Sequence, residues 1–426
     1  MGASRARPDT PFMGPRTQDT RLWHPFSDMA TVRDRELVIT RGEDVWLWDE
    51  DGNRYLDAFA SLWYTNIGHG RSEIADAVAA QMRELEAFTI FFDYANRPAL
   101  ELAELLAELS PMPGSRVMLT PGGGSEAIDT AVKMARRYWF EMGQPDRRHV
   151  VSRAHAYHGS NGIGTGIGGI DANRDGWGAA LPETSRVGHD SVEALEGEIA
   201  RVGADRIAAF VCEPVMGAGG VHPPPPGYIE GVAALCRAHD ILFVCDSVIC
   251  GFGRLGTWFG IERWNVEPDV ITFAKGVTSG YLPLGGVLFG ARVCEPFWSE
   301  PGRMVRHGYT FAGHPACCTA ALANIAVIDR EGLLDRALEI ERDLTAVLRP
   351  LEDHPAVAEV RSGTGAMAAV ELVEEGGAPG LMMRMRAAGV LVRASSPTAV
   401  AVCPPLTITR EQVDTIGEAF AHSLGA

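Results

Sequence analysis

The sequence predicts an α/β protein, with a large domain on a mostly parallel sheet and a smaller α+β domain. Three observations carry this. From about residue 115 to 290, short apolar runs alternate with stretches of helical periodicity. The runs IAAFVCE, ILFVCDS and DVITFAKG are almost continuously apolar, as in strands covered on both faces. After residue 330 the texture changes to strand-rich segments and one closing helix.

In order, residues 1–22 read as a flexible lead-in without an apolar signal core. ELVITRG and DVWLWDEDGNRYLDAFA, split by Asp-Gly and Gly-Asn turn signals, predict strands of an N-terminal segment (23–70) belonging to the small domain. The aromatic SLWYTNIGHG at 61–70 is equally a core plug or a pocket wall. The large domain is expected over 71–330. Residues 72–109 have helical spacing, and RVMLT followed by PGGGSEAIDTAVK predicts strand, glycine turn and helix, with Ser125 as a cap. Such a turn directs N–H groups and a helix dipole at an anion, although it is neither GxGxxG nor a P-loop, and a plain tight turn explains it as well. HVVSRAHAYHGS is a strand leading to Tyr157, His158 and Gly159; an aromatic there is suited to stacking on a planar ring. Helices are expected at 191–204, 228–239 and about 315–348, with Thr310 in the loop before the last. Residues 331–426 form the small domain, with strands in VAEVRSGTGAMAAVELV and VLVRASSPTAVAVCPP.

Composition narrows the function. A formal net charge of -17 argues against nucleic-acid or anionic-membrane partners. Eight scattered cysteines without a CxxC pair read as core thiols in a reducing compartment, with no metal site. No uncharged apolar segment is long enough to span a bilayer, and the cytoplasm is the default location.

The chemistry concentrates at 241–285. One strand ends in Asp246 and another leads to Lys275, so a carboxylate and an amine share the crevice at the strand carboxyl ends. A lysine can form a Schiff base with a carbonyl cofactor, and a buried aspartate can keep a pyridine nitrogen protonated. Taken alone, the pair is better explained as a salt bridge or a lysine reaching solvent.

The motifs together change that balance. LWYTNIGHG, GGSEAIDTAVK, AYHG, CEPVMGAGGV, DSVICGFGRLG, PDVITFAKG and HGYTFAGHP, in this order between WHPF at 23 and PPLTIT at 404, resemble the class III, ω-type aminotransferases. These are enzymes of fold type I that use pyridoxal 5'-phosphate (PLP), and the likeness is greatest to β-alanine/ω-amino acid–pyruvate transaminases. The resemblance implies Lys275 as the Schiff-base lysine and Asp246 as the partner of the ring nitrogen. It implies cofactor contacts from Gly124, Ser125, Tyr157, His158, Gly159, Glu213 and Val248, and from Thr310 to the phosphate of a neighbouring subunit. Trp63, Tyr157 and Arg393 become substrate contacts, Arg393 meeting a carboxylate. A homodimer or dimer of dimers is implied, with amine donor and keto acid acceptor as small-molecule partners. Two departures stand out. Ser247 replaces the family's usual glutamate after the aspartate, which puts cofactor surroundings and rate in question. Ala218 replaces a glutamate that pairs with the mobile arginine in glutamate-using relatives, which favours pyruvate over 2-oxoglutarate. A racemase, aminomutase or decarboxylase on the same scaffold, or a non-catalytic PLP-binding protein, would carry much of the same pattern.

Overall fold

The computed structural model describes residues 20–33, 35–178 and 181–425, so most of the expected lead-in lies outside the described residues. An N-terminal meander comprises β1 (Ile39–Glu43), β2 (Trp46–Asp49) and β3 (Arg54–Asp57). The large sheet is built from β4 (Arg116–Thr120), β5 (His149–Arg153), β6 (Thr184–Val187), β7 (Ile207–Cys212), β8 (Leu242–Asp246), β9 (Val270–Phe273) and β10 (Gly285–Phe289). Its order is β4-β10-β9-β8-β7-β5-β6, and β10 alone runs against its neighbours.

Side-chain alternation divides the sheet into two dry faces. Val150, Val211, Val244, Val270 and Val287 pack with Ala131, Ala135 and Trp139 of the helix Gly124–Glu141. Val151, Phe210, Phe243, Ile271 and Leu288 face the opposite core. Each such side chain stabilises the fold by about 1.5–3 kcal/mol through burial. This double cover explains the unbroken apolar runs.

The C-terminal part adds β11 (Val357–Arg361), β12 (Ala368–Leu372), β13 (Val390–Leu391), β14 (Arg393–Ala394) and β15 (Ala399–Val402). β13 pairs in parallel with β3, so the chain's two ends share one sheet. β11-β12-β15-β14 form the third sheet, with Arg393 on its edge strand.

Three local expectations need correction. The helical stretch 72–109 is two helices, Ser72–Glu84 and Arg97–Leu109, because Asn96 caps the second by accepting from Ala99 N–H at 3.0 Å. The expected helix 315–348 breaks at Gly332, whose φ of 63° suits glycine, giving Pro315–Arg330 and Leu333–Leu348. Ser125 does not cap its helix; Gly123 takes that position without a side-chain bond, and Ser125 Oγ accepts from Ser160 N–H at 3.0 Å.

Candidate active site

The carboxyl ends of β5, β7, β8 and β9 open on one cavity of about 560 Å³. Asp246, the last residue of β8, is buried and fixed from three sides. Its Oδ2 lies 2.8 Å from His158 Nδ1, and its Oδ1 accepts from Val248 N–H and Thr272 Oγ1, each at 3.2 Å. Glu213 follows β7, also buried, and accepts from Tyr157 N–H and Gly217 N–H, each at 3.1 Å.

Lys275 lies two residues beyond β9 on the cavity wall, with a φ of 51°. A left-handed lysine costs about 1 kcal/mol or more, so its turn needs support. Asn324 supplies it, donating to Gly276 O at 2.8 Å and Val277 O at 2.9 Å. Burial pushes the Lys275 amine below its usual pKa, against the pull of Asp246 and Glu213. Burial likewise raises the pKa of Glu213 and of Tyr157.

At the other end, Gly122–Ser125 open the helix Gly124–Glu141 toward the cavity. Glycine is required at two places. A Cβ on Gly124 would come 2.7 Å from Val248 Cγ1. Gly159, at φ +96°, would press on Ser125 Cα at 2.7 Å. Trp63, only 2% exposed, lines the wall and packs edge-on to Phe59 at 4.6 Å. Arg393 lines the cavity too, with its guanidinium 5.9 Å from the Phe59 ring centroid. Among the described residues no carboxylate pairs with it.

The structure therefore gathers Trp63, Gly124, Ser125, Tyr157, His158, Gly159, Glu213, Asp246, Val248, Lys275 and Arg393 around one space. Thr310 stands apart, exposed and outside this cavity. Ser247 also faces elsewhere: its buried hydroxyl donates to Phe259 O at 2.6 Å, tying down the loop after β8. Sequence reasoning missed Thr272 and Asn324, and also Arg254. Fully buried, Arg254 donates to Asn66 Oδ1 and to the carbonyls of Ala366 and Pro404. Isolated polar residues in apolar segments carry no periodic signal, so none announced itself.

Residues 29–424 match the family model of aminotransferase class-III. The chain belongs to the class III aminotransferases. It is 37% identical to a putrescine–pyruvate aminotransferase of Pseudomonas aeruginosa, over 92% of this chain and 91% of that protein. It is 38% identical to a diaminobutyrate–2-oxoglutarate transaminase of Halomonas elongata, over 89% and 88%. The crystal structure of an amine transaminase from an uncultivated Pseudomonas species, in its PLP-bound form, superposes with a TM-score of 0.92 at 36% identity, covering 96% of this chain and 99% of that one. This aminotransferase therefore has fold type I, is ω-transaminase-like and uses PLP.

The cavity of this aminotransferase fits that cofactor on its own evidence. A glycine-rich helix start suits a phosphate. A thrice-held carboxylate and a half-buried lysine sit on the same wall, as a protonated pyridine and an aldehyde require.

Proposed function

We propose that this aminotransferase moves an amino group from an ω-amino acid or primary amine, such as β-alanine, to pyruvate, giving alanine. The observation that carries the reading is Arg393, a cation in the cavity with no carboxylate partner among the described residues and with Ala218 in the same lining. An unpaired, half-buried guanidinium is suited to bidentate binding of a substrate carboxylate. Without an acidic side chain to draw it aside, it stays available for a small keto acid. The pyruvate-using relative supports this, while the 2-oxoglutarate-using one marks the competing acceptor.

When bound, PLP supplies an aldehyde that takes up the amino group and a ring that stores the electrons released at the donor carbon. We assign the chain's own residues as follows. Lys275 Nζ would hold the aldehyde and, when free, would carry the proton taken from the donor carbon. Its depressed pKa raises the fraction of neutral amine able to do so. Asp246, held by His158, Thr272 and Val248, would keep the ring nitrogen charged. Gly124 and Ser125 would hold the phosphate, with Val248 packed against that turn. Tyr157, with His158 and Gly159, would hold the ring, and Glu213 fixes the backbone of Tyr157 and Gly217 by accepting from both N–H groups. Trp63 and Tyr157 wall the donor side chain.

Thr310 lies outside its own chain's cavity, which accords with service to a neighbouring subunit in a homodimer or dimer of dimers. We further propose a large domain over 71–330, with 23–70 and 331–426 as the small one, and a cytoplasmic location.

Incubation with β-alanine and either pyruvate or 2-oxoglutarate, with alanine and glutamate quantified, tests the acceptor. Alanine should dominate. Glutamate formed at an equal or higher rate would refute the pyruvate reading.

A further inference from the structure

The segment 303–314 carries Thr310, and several side chains fasten it to the helix Gly124–Glu141: Arg303 pairs with Glu141 at 3.7 Å, and His307 grips the middle of the helix. His307 Nε2 lies 2.8 Å from Thr130 Oγ1, and Lys133 Nζ lies 2.9 Å from His307 Nδ1. A lysine ammonium only donates, so Nδ1 must accept and the ring proton must sit on Nε2, donated to Thr130. The imidazole fills this slot only when neutral. Tyr309 packs edge-on to His307 at 5.2 Å, and its hydroxyl donates to Glu126 O at 3.4 Å. Further along, Asn96 donates to Gly313 O at 2.8 Å. The helix that receives His307 is the one whose first residues form the phosphate turn.

We propose that His307 is a positioning residue, a neutral-imidazole clamp that sets the Thr310 segment on the phosphate-turn helix and so makes cofactor retention sensitive to pH. The inference rests on the proposed reach of Thr310 to a neighbouring subunit's phosphate. A proton added to Nδ1 sets an N–H against the Lys133 ammonium, two donors and two like charges with no acceptor between them. Lys133 is the charge that faces the ring from the helix; Glu126 and Asp129 act on Tyr309 beside it. Burial and Lys133 hold the imidazole below the usual histidine range. The clamp is therefore intact above the ordinary histidine value of about 6.5 and is lost as pH falls through the lowered one.

The test uses holoenzyme at about pH 8 and about pH 5.5, spanning histidine titration. PLP release after dilution is followed by absorbance, and amide hydrogen exchange of residues 303–314 is read in parallel. Wild type is compared with His307→Asn, Lys133→Met and Thr310→Ala. Asparagine offers Lys133 an acceptor and Thr130 a donor, but gains no proton. Between the two pH values, retention by wild type should weaken about tenfold more than retention by His307→Asn, with matching loss of exchange protection. Lys133→Met should move the transition to higher pH. Parallel decline of wild type and His307→Asn in both readouts, or an unmoved transition in Lys133→Met, would overturn the clamp. Thr310→Ala that holds PLP as tightly as wild type would remove only the Thr310 reading, because exchange of 303–314 still decides the clamp.

Discussion

In the proposed reaction, turnover depends on Lys275. Replacing it with Ala should lower turnover by at least about 10³-fold, because attachment and proton transfer are both lost. Wild-type turnover in a steady-state assay would rule out its role. Arg393→Ala should reduce carboxylate substrates by about 10- to 100-fold, the worth of a charge-assisted hydrogen-bond pair, and leave apolar amines nearly unchanged. Equal losses on both classes would remove the carboxylate role. At Gly124, the 2.7 Å approach of Val248 leaves no room for a methyl group. Gly124→Ala should weaken PLP retention on dialysis without abolishing folding, whereas undiminished retention would show that the turn yields. Asp246 and Lys275 were legible because each closes an apolar run with a charge. Their supports, Thr272 and Asn324, were not, since a buried threonine or asparagine looks like any other core polar residue until its partner is known.

Among elements, the double-covered strands were the clearest. β7, β8 and β9 are buried throughout and read as unbroken apolar runs. β6, with sequence TSRV, lies at the sheet edge and was not legible, because an edge strand needs no apolar run. The helical stretches were right in type and wrong in continuity: one break follows from the Asn96 cap and the other from Gly332, and neither interrupts the apolar spacing. The loop after β8 assigns Ser247 a task that its position beside Asp246 does not reveal. Ser247→Ala leaves the buried Phe259 carbonyl without this donor and should cost about 1–3 kcal/mol of stability in a denaturant titration. The cofactor's absorption maximum should stay unchanged. A shifted maximum with full stability would place Ser247 in the cofactor's surroundings instead.

At the scale of the molecule, the exposed apolar surface bears on the proposed self-association. Phe92 is 93% exposed and Phe311 65%, and Phe88 and Tyr94 are open to solvent on the same stretch as Phe92. Gly308 and Gly313 approach Phe91 and Ile90, so this stretch and the Thr310 segment form one surface. A cluster of exposed aromatics of this kind is what the proposed subunit interface would cover. Analytical ultracentrifugation should find a dimer or larger assembly, and Phe92→Asp should shift it toward monomer with loss of PLP; a monomeric wild type with full activity would contradict the shared site.

The most direct measurement is a two-step half-reaction on the purified holoenzyme. The cofactor's visible absorption is recorded on adding β-alanine, and again after the donor is removed and pyruvate supplied. Loss of the band with the donor and its return with pyruvate, with alanine formed in equal amount, is the predicted result. A band that persists across a panel of ω-amino acids and primary amines, or that returns only with 2-oxoglutarate, would contradict the proposed reaction.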